Sequence, residues 1–383
     1  MSGARKIQSS EDARLLAKKR LPWMVFDYID GAAGIGHGEA LNRTALRDLR
    51  LQPRILTNVK TRNLGVRVFD HDGKVPFGIS PMGMCNLSTP GADLMLARIA
   101  AKNRVPVGVS TVSSTSLETM IEVAEGHAWF QLYFSGDGST AKRLVARAKA
   151  AGYRTLVLTL DVPEVGRRPR ELRHGFKMPF KIGPSQFVDF ALHPRWSLSA
   201  LFRGRPEMAN FSEPGNEFDR TESRAAADWS YLESLRAEWS GNLVVKGVLS
   251  VEDAIRLKAV GVDAIQVSNH GGRQLDSAPP PILMLEKIRA AVGKDYPLFY
   301  DSGLRSGEDI VKAYAMGADF VFFGRPLLYA MAAMSEPGLK QLWNVYSEET
   351  SLTLAQLGKT AMRSLSESLV STTWTQQERI IRL

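Results

Sequence analysis

Eight short apolar runs, separated by helical patterns, place the strongest limit on what this chain can fold into. The runs are almost continuously apolar, as strands that are buried on both faces must be. We therefore predict strands at residues 75–80, 105–110, 129–133, 155–161, 243–247, 264–268, 297–301 and 320–324. The segments between them show helical periodicity, most clearly at residues 93–103, 140–151, 251–260, 282–291 and 308–316. Eight strands that alternate with helices favour a closed parallel barrel.

The predicted architecture is an α/β fold, a TIM-type (β/α)8 barrel. A doubly wound open sheet would carry a glycine-rich dinucleotide fingerprint after its first strand, and the sequence has none there. The 383 residues exceed the ~250 of a bare barrel, which leaves room for additions. We predict one domain, 1–383. It begins with a helical extension at 1–70, with helices at 11–20 and 24–29, and continues with the barrel at 71–335. A long inserted loop follows strand 4 at 163–241, and C-terminal helices and a tail occupy 336–383.

Composition and charge limit the cellular compartment and the binding partners that can be expected for this protein. Cys85 is the only cysteine, so an intramolecular disulfide is excluded and a reducing compartment is expected. The first 20 residues lack the apolar core of a signal peptide, and no run of 18 apolar residues occurs. We expect a cytoplasmic protein. The net charge of +9 suits anionic substrates, nucleic acid or an anionic membrane surface, and does not choose among them.

Residues 177–205 of the inserted loop combine aromatic and basic side chains with few acids. The residues that define this character are Lys177, Phe180, Lys181, Phe187, Phe190, Arg195, Trp196, Leu198, Leu201, Phe202, Arg203 and Arg205. Such a mixture fits a surface that contacts anionic lipid headgroups, which would place the protein on the inner face of the cell membrane. A lid that packs its apolar residues onto the barrel is the alternative interpretation.

Ionisable residues gather where the predicted strands end. The string SNHGGRQLD at 268–276 places His270 and Arg273 after the sixth strand, and its glycines allow the tight turn that would point both into the barrel mouth. The third, fourth, fifth and seventh strands end at Tyr133, Asp161, Lys246 and Asp301. Active sites of this fold lie at that face of the barrel. The alternative is a ring of structural ion pairs at the barrel rim.

The loops after the last two strands have the character of a phosphate site. Asp301-Ser-Gly303-Leu-Arg305 follows the seventh strand, and Gly324-Arg325-Pro326 follows the eighth. Glycine-rich loops at these positions, with a helix N-terminus, form the common phosphate site of this fold. The six histidines show no paired ligand spacing, so we predict no metal site.

Several strings together resemble the FMN-dependent family that oxidises L-2-hydroxy acids, which includes glycolate oxidase, L-lactate dehydrogenase, mandelate dehydrogenase and lactate oxidase. The strings are LPWMVFDYIDGAA, FQLY, LTLDVPEVGRR, VVKGV, SNHGGRQLD, DSGLRSG and FGRP, and the likeness extends from Leu21 to about Gly358. The resemblance implies an enzyme that binds FMN and converts a lactate-like or mandelate-like acid to its 2-oxo acid. It also implies a homo-oligomer, a tetramer in many relatives.

The resemblance assigns roles to the residues at the barrel mouth. It implies that His270 is the catalytic base and that Asp161 holds the resulting imidazolium. The substrate carboxylate would be bound by Tyr28, Arg168 and Arg273, with Tyr133 near the substrate hydroxyl. Lys246 would lie near N1 of the flavin, where its charge stabilises the reduced ring.

The resemblance likewise assigns the cofactor site. The residues assigned to FMN are Pro81, Met82, Gly83, Ser110, Gln131, Thr159, Lys246 and Ser268 around the ring, Asp301 at the ribityl chain, and Gly303, Arg305, Gly324 and Arg325 at the phosphate. For Ser268, a purely structural role at the strand end is the alternative.

The family pattern also bears on the electron acceptor. Gly83 stands where many oxidases have alanine and dehydrogenases often have glycine, which favours a quinone or a cytochrome as acceptor. A soluble oxidase that uses O2 and produces H2O2 is the alternative. Met82 and Val112 also depart from the commonest residues and leave the substrate side chain open. A flavin isomerase would not need two carboxylate-binding arginines beside a base, and a nucleic-acid-binding protein would need a larger basic face.

Overall fold

A closed barrel of eight parallel strands forms the centre of the protein. The computed structural model describes residues 7–176, 183–203, 207–211 and 223–370. Its barrel strands are β1 Phe77–Met82, β2 Val107–Ser110, β3 Ala128–Leu132, β4 Thr155–Thr159, β5 Asn242–Val248, β6 Ala264–Val267, β7 Leu298–Tyr300 and β8 Phe320–Phe323. They pair in sequence order, and β8 closes the barrel onto β1. The predicted (β/α)8 fold is confirmed, with each strand within a few residues of its expected position.

Helices surround the barrel and connect its strands. In chain order they are α1 Ser10–Arg20, α2 Trp23–Asp30, α3 His37–Asp48, α4 Ala92–Asn103, α5 Leu117–Val123, α6 Ser139–Ala150, α7 Pro169–Arg173, α8 Pro184–Leu192, α9 Pro194–Arg203, α10 Trp229–Glu238, α11 Val251–Ala259, α12 Pro281–Val292, α13 Gly307–Ala315 and α14 Arg325–Gln356. Capping side chains fix several of their starts. Ser306, for example, accepts a hydrogen bond from the Asp309 amide at the start of α13. None of the described helices is both long enough and apolar enough to span a bilayer.

The barrel interior is filled by aromatic rings, and a small sheet closes its amino-terminal end. Trp129, Phe299 and Phe322 contact one another with ring centroids 5.4–5.9 Å apart. Two short antiparallel strands, Val66–Val68 and His71–Gly73, lie beneath them, and the Phe69 ring between these strands contacts Trp129 and Phe299. The sequence analysis did not predict this sheet.

The segment between β4 and β5 contains helices as well as loops. The side chains of α8 and α9 divide into an inner and an outer set. Trp196 donates a hydrogen bond from Nε1 to the Leu87 carbonyl at 2.8 Å, and its ring contacts Phe190. The outer set is more than half exposed and consists of Phe187, Val188, Leu192, Leu198, Leu201 and Phe202. Lys177, Phe180, Lys181 and Arg205, and the side chain of Arg203, lie outside the described residues.

The N-terminal helices pack against the end of the chain. Ile7 donates a backbone hydrogen bond to Gln341 in α14 at 3.1 Å, and the Ser10 hydroxyl lies 2.6 Å from the Tyr346 hydroxyl. α14 has non-helical backbone angles at Met334 and Ser335, so it is two helical segments joined at a kink. Together these contacts place α2, with Tyr28, over the carboxyl-terminal face of the barrel, where Tyr28 lines a cavity.

Candidate active site

A cavity opens at the carboxyl-terminal ends of the barrel strands, and the structure brings most of the predicted site residues to it. Those that line it are Tyr28, Pro81, Met82, Gly83, Ser110, Tyr133, Arg168, Lys246, His270, Arg273, Asp301, Gly303, Arg305, Gly324 and Arg325. The remaining four, Gln131, Thr159, Asp161 and Ser268, lie directly behind these residues at the strand ends. The polar groups converge on one space, and two ion pairs, Lys246–Asp301 and His270–Asp161, lie among them, as the alternative of a ring of structural ion pairs also expects.

His270 and Asp161 form the central pair of the cavity. His270 Nδ1 lies 2.9 Å from Asp161 Oδ1, which leaves Nε2 to face a ligand. Burial lowers the pKa of His270 below its ordinary value, and the Asp161 carboxylate opposes this shift. The imidazole is therefore neutral at physiological pH and available to accept a proton at Nε2.

Lys246 and Asp301 form a second, fully buried pair. Lys246 Nζ lies 3.2 Å from Asp301 Oδ2 and donates to the Ser268 hydroxyl at 2.9 Å. Burial disfavours the charged ammonium group, but the carboxylates of Asp301 and Asp161 outweigh it, and the pKa of Lys246 is raised. Burial likewise opposes ionisation of Asp301, yet Lys246 and the neighbouring hydroxyls lower its pKa. Both groups are therefore ionised, with the lysine charge directed at the cavity.

Two tyrosines, Tyr28 and Tyr133, line the cavity. Tyr28 donates from its hydroxyl to the Gly83 carbonyl at 3.3 Å, and its ring stacks on Phe176 with centroids 4.3 Å apart. Burial raises the pKa of Tyr133 to about 12, so its phenol stays protonated and can donate. The guanidinium of Arg224 lies over the Tyr133 ring, 5.1 Å from its centroid.

Arg168 and Arg273 face the cavity from two different loops. Arg168 caps α7 in the inserted segment, and Arg273 belongs to the turn after β6. Their guanidinium groups meet at the carboxylate of Glu171. Two guanidinium groups side by side form a site for a carboxylate ligand, which each can bind through a pair of parallel N–H groups.

Buried polar atoms without a partner show where a ligand fits. Within the described residues, Gln131 Nε2 and Thr159 Oγ1 are buried and have no hydrogen-bond partner. Gln131 Oε1 accepts from the Ser110 hydroxyl and the Thr111 amide, so its amide nitrogen is the free end. Native proteins rarely leave such atoms unpaired. The carbonyl and nitrogen atoms along the polar edge of a flavin ring would satisfy both.

The far end of the cavity fits the phosphate group of FMN. Gly324 precedes the first turn of α14, and the helix N-terminus offers backbone N–H groups and a positive dipole there. Arg325 donates to the Gly271 carbonyl at 2.6 Å, and Arg305 is paired with Glu39 at 3.0 Å. Gly303 has a φ of 92°, a conformation that a side chain would strain, so the loop after β7 depends on this glycine.

The remaining wall of the cavity is apolar. Met82 and Val112, the two departures from the family pattern that leave the substrate side chain open, line it together with Val165. Val162 and Met208 extend the same wall, and the sequence analysis did not single them out. An apolar wall opposite two arginines suits a substrate with a carboxylate at one end and a hydrocarbon side chain at the other.

Several polar residues of the site were missed because they carry no local pattern. Asp301 accepts hydrogen bonds from Ser80 at 3.0 Å and from Gln266 at 2.7 Å. Asn42 in α3 exchanges two amide hydrogen bonds with Asn269, each 2.8 Å. Only Glu171 offered a signal in the sequence, an acid placed three residues after Arg168 at the start of a helix.

Comparisons with known proteins show which family the chain is similar to. The family model for FMN-dependent dehydrogenases matches residues 17–372. The (S)-mandelate dehydrogenase of Pseudomonas putida is 40% identical over 365 residues, 93% of this chain and 92% of that protein. The L-lactate dehydrogenase of Pseudomonas syringae pv. syringae (strain B728a) is 35% identical over 379 residues, 95% of this chain and 98% of that protein.

A solved structure extends the similarity to three dimensions. The crystal structure of the monotopic membrane protein (S)-mandelate dehydrogenase superimposes with a TM-score of 0.90 at 38% identity, covering 95% of this chain and 99% of that one. The family match spans the barrel, the N-terminal helices and the inserted segment, and therefore every residue that lines the cavity. The chain accordingly belongs to the FMN-dependent dehydrogenase family.

Proposed function

We propose that this protein uses FMN to oxidise an L-2-hydroxy acid, lactate-like or mandelate-like, to the 2-oxo acid, and passes the electrons to a quinone or a cytochrome. The observation that carries the proposal is the convergence of a neutral base, His270, and two arginines, Arg168 and Arg273, on one cavity. A 2-hydroxy acid presents a carboxylate to the arginines and a hydroxyl to the base.

Substrate binding falls to the arginines and Tyr28. The guanidinium groups of Arg168 and Arg273 bind the carboxylate, and Tyr28 adds a hydroxyl from α2. With the carboxylate fixed, the substrate side chain extends towards the apolar wall that contains Val112 and Val165. Fixing two ends of a small acid orients its reacting carbon, which is the main contribution that a binding site makes to rate.

Proton transfer falls to His270. Its Nε2 accepts a proton from the substrate, and Asp161 stabilises the imidazolium that results through the bond to Nδ1. Tyr133 keeps its proton and donates a hydrogen bond from its hydroxyl to the substrate hydroxyl oxygen. FMN, when bound, would supply the acceptor for the two electrons and for the second hydrogen that the substrate loses. Lys246 places its charge beside the flavin site, where negative charge develops.

The choice of a dehydrogenase over an oxidase rests on Gly83 and its neighbour. A Cβ atom on Gly83 would lie 2.6 Å from Val112 Cγ2, so the alanine of many oxidases has no room here. The proposed acceptor is therefore a quinone or a cytochrome, and we expect slow reaction with O2. Rapid recolouring of the reduced protein in air would favour the oxidase alternative instead.

The exposed apolar face of α8 and α9 supports a peripheral membrane position. Phe187, Leu201 and Phe202 are 67%, 75% and 82% exposed, while Trp196 and Asp189 fix the two helices to the body of the protein. Trp196 bonds the turn that directly follows the cavity residues Met82 and Gly83. A quinone dissolved in the bilayer would thus meet the protein near its flavin site. The protein is further proposed to be a tetramer on the inner face of the membrane. Light scattering of the purified protein measures its molar mass and so tests the tetramer.

Anaerobic bleaching of the bound flavin tests the function directly. The purified yellow protein is mixed without oxygen with L- and D-forms of lactate, mandelate, glycolate and longer aliphatic 2-hydroxy acids. We expect bleaching by an L-acid only, followed by slow recolouring in air and fast recolouring with a soluble quinone. A flavin that no hydroxy acid reduces would refute the proposed reaction.

A further inference from the structure

One buried carboxylate touches both arginines of the cavity. Glu171 Oε1 lies 3.4 Å from Arg168 Nη1 and 3.0 Å from Arg273 Nη2. The three side chains are 8%, 11% and 14% exposed, so all of them are largely removed from water. A single oxygen shared by two guanidinium groups fixes their separation as well as their direction.

Glu171 lies behind the arginines and not in the cavity itself. Arg168 and Arg273 line the cavity, and Glu171 is not among its lining residues. The carboxylate therefore does not occupy the ligand space. It approaches the guanidinium groups from the side of α7, in whose first turn it lies, three residues after the Arg168 cap.

The hydrogen bonds of the pair leave donors for a ligand. Arg168 also donates to the Arg273 carbonyl at 3.2 Å and to Gln274 Oε1 at 3.0 Å. Arg273 also donates to the Gly31 carbonyl at 2.6 Å. Each guanidinium carries five N–H groups. These contacts use three on Arg168 and two on Arg273, so both retain N–H groups that a carboxylate in the cavity can bind.

The electrostatics of the pair require a counter-charge. Burial and, after it, the neighbouring charge of Arg168 lower the pKa of Arg273 to about 10, although Glu171 opposes this shift. Two like charges in a dry site repel each other unless an opposite charge lies between them. Glu171 supplies that charge on the side away from the ligand.

We propose that Glu171 is a positioning residue that aligns Arg168 with Arg273, so that the pair is ready to bind the substrate carboxylate. The inference rests on the proposed function, because it assumes that these arginines bind the substrate. The contact of Glu171 with both arginines also connects two segments that are distant in sequence, since Arg168 and Glu171 belong to the inserted segment and Arg273 belongs to the turn after β6.

Glu171→Gln tests the proposal, because it keeps the size of the side chain and removes its charge. We expect KM for the 2-hydroxy acid to rise about tenfold, since the hydrogen bonds to charged groups are weakened, while kcat changes much less. We also expect the alkaline limb of kcat/KM to move to lower pH, because Glu171 raises the pKa of Arg273. Tyr133 and Lys246 lose their protons at higher pH than their ordinary values, so Arg273 is the first of these groups to titrate.

Two further variants separate positioning from mere folding. Glu171→Asp keeps the charge, so its alkaline limb should stay near that of the wild type although its shorter side chain raises KM. Glu118→Gln is the matched control, because Glu118 also forms a two-point pair with an arginine, Arg147, but at the surface and away from the cavity. It should leave both KM and the pH profile unchanged.

The outcomes distinguish the inference from the function on which it rests. If Glu171→Gln loses thermal stability or FMN but keeps the wild-type KM and alkaline limb, the residue is only structural and the inference is wrong. If Arg273→Ala leaves KM for every hydroxy acid unchanged, the arginine does not bind the substrate. In that case the proposed function fails, whatever Glu171 does.

Discussion

Gly247 lies so close to Asp161 that a Cβ atom on the glycine would come within 2.6 Å of both Cβ and Cγ of the aspartate. Its φ of 99° is a backbone conformation that residues with a side chain rarely adopt. The strand that carries Lys246 therefore passes directly against the carboxylate that orients His270. The position of the catalytic pair depends on the absence of a side chain at residue 247.

Gly247→Ala should displace Asp161 and lower the rate of flavin reduction at least about tenfold, because small misplacements of catalytic groups are costly. Gly261→Ala is the control. Gly261 has a φ of 80°, yet a Cβ there would meet no atom within 4 Å. The control should lose about 1–2 kcal/mol of unfolding free energy from backbone strain alone and keep its activity. Stopped-flow reduction and urea unfolding measure the two effects, and equal activity in the two variants would contradict the argument.

The pH dependence of flavin reduction should report the state of His270. Its pKa is lowered, so the acidic limb of kcat/KM should lie below the ordinary histidine value near 6.5, with full activity above it. Asp161 raises this pKa, so Asp161→Asn should move the limb to still lower pH and also reduce the maximal rate. His270→Gln should retain FMN and lose substrate reduction. A normal rate in His270→Gln would remove His270 from the mechanism.

Gly83→Ala should be tolerated only when Val112 is made smaller. The added methyl group would overlap Val112 Cγ2, and overpacking of this kind costs about 1–3 kcal/mol. We expect the single variant to unfold at a lower temperature and to bind FMN more weakly, and Gly83→Ala with Val112→Ala to recover much of the loss. Thermal unfolding and flavin titration of the two variants, with Val112→Ala alone as reference, measure this coupling. Additive losses in the double variant would mean that the two residues do not interact.

Replacing Phe187, Leu201 and Phe202 with serine should release the protein from anionic vesicles. Burying each large apolar side chain contributes about 1.5–3 kcal/mol, so the loss of three should weaken partitioning by roughly a thousandfold or more. Co-sedimentation with vesicles that contain phosphatidylglycerol measures the binding, and flavin reduction should be unaffected. The exposed Ile55 and Leu56 serve as the control, because serine there should not change sedimentation. If the triple variant binds the vesicles as well as the wild type does, the membrane interpretation is wrong and α8 and α9 are a lid over the barrel.

His71 should make the protein less stable in mild acid. Its Nε2 accepts a hydrogen bond from Trp129 Nε1 at 3.1 Å, and burial lowers its pKa from 6.5 to about 4. Between these values the unfolded chain binds a proton that the folded protein cannot, so unfolding becomes easier as the pH falls, by roughly 3 kcal/mol in total. His71→Gln should reduce this slope in urea unfolding between pH 7 and pH 4, with a remainder from His127, whose pKa is also lowered by burial. The exposed His37→Gln should retain the full slope.

The sequence predicted the parts of this protein that depend on local patterns. Doubly buried strands have continuous apolar runs, and strand ends in a parallel barrel share one face, so the strands and the group around His270 could be expected together. The small sheet at 66–73 could not, because its strands have only three residues each. Nor could the pairing of Arg305 with Glu39, since the two residues are 266 positions apart and only the closed fold brings them together.

The contact between Ser10 and Tyr346 has a consequence for how the chain is made. α1 leaves the ribosome before the barrel strands, but its partner α14 emerges only after the entire barrel has been synthesised. Contacts between residues this distant in sequence form late, because a large loop must lose conformational entropy on closing before the contacts can stabilise it. During synthesis the buried face of α1, with Ala13 and Ala17, therefore remains without α14, its partner in the finished fold. We therefore expect the nascent chain to keep binding chaperones until about residue 346 has left the ribosome.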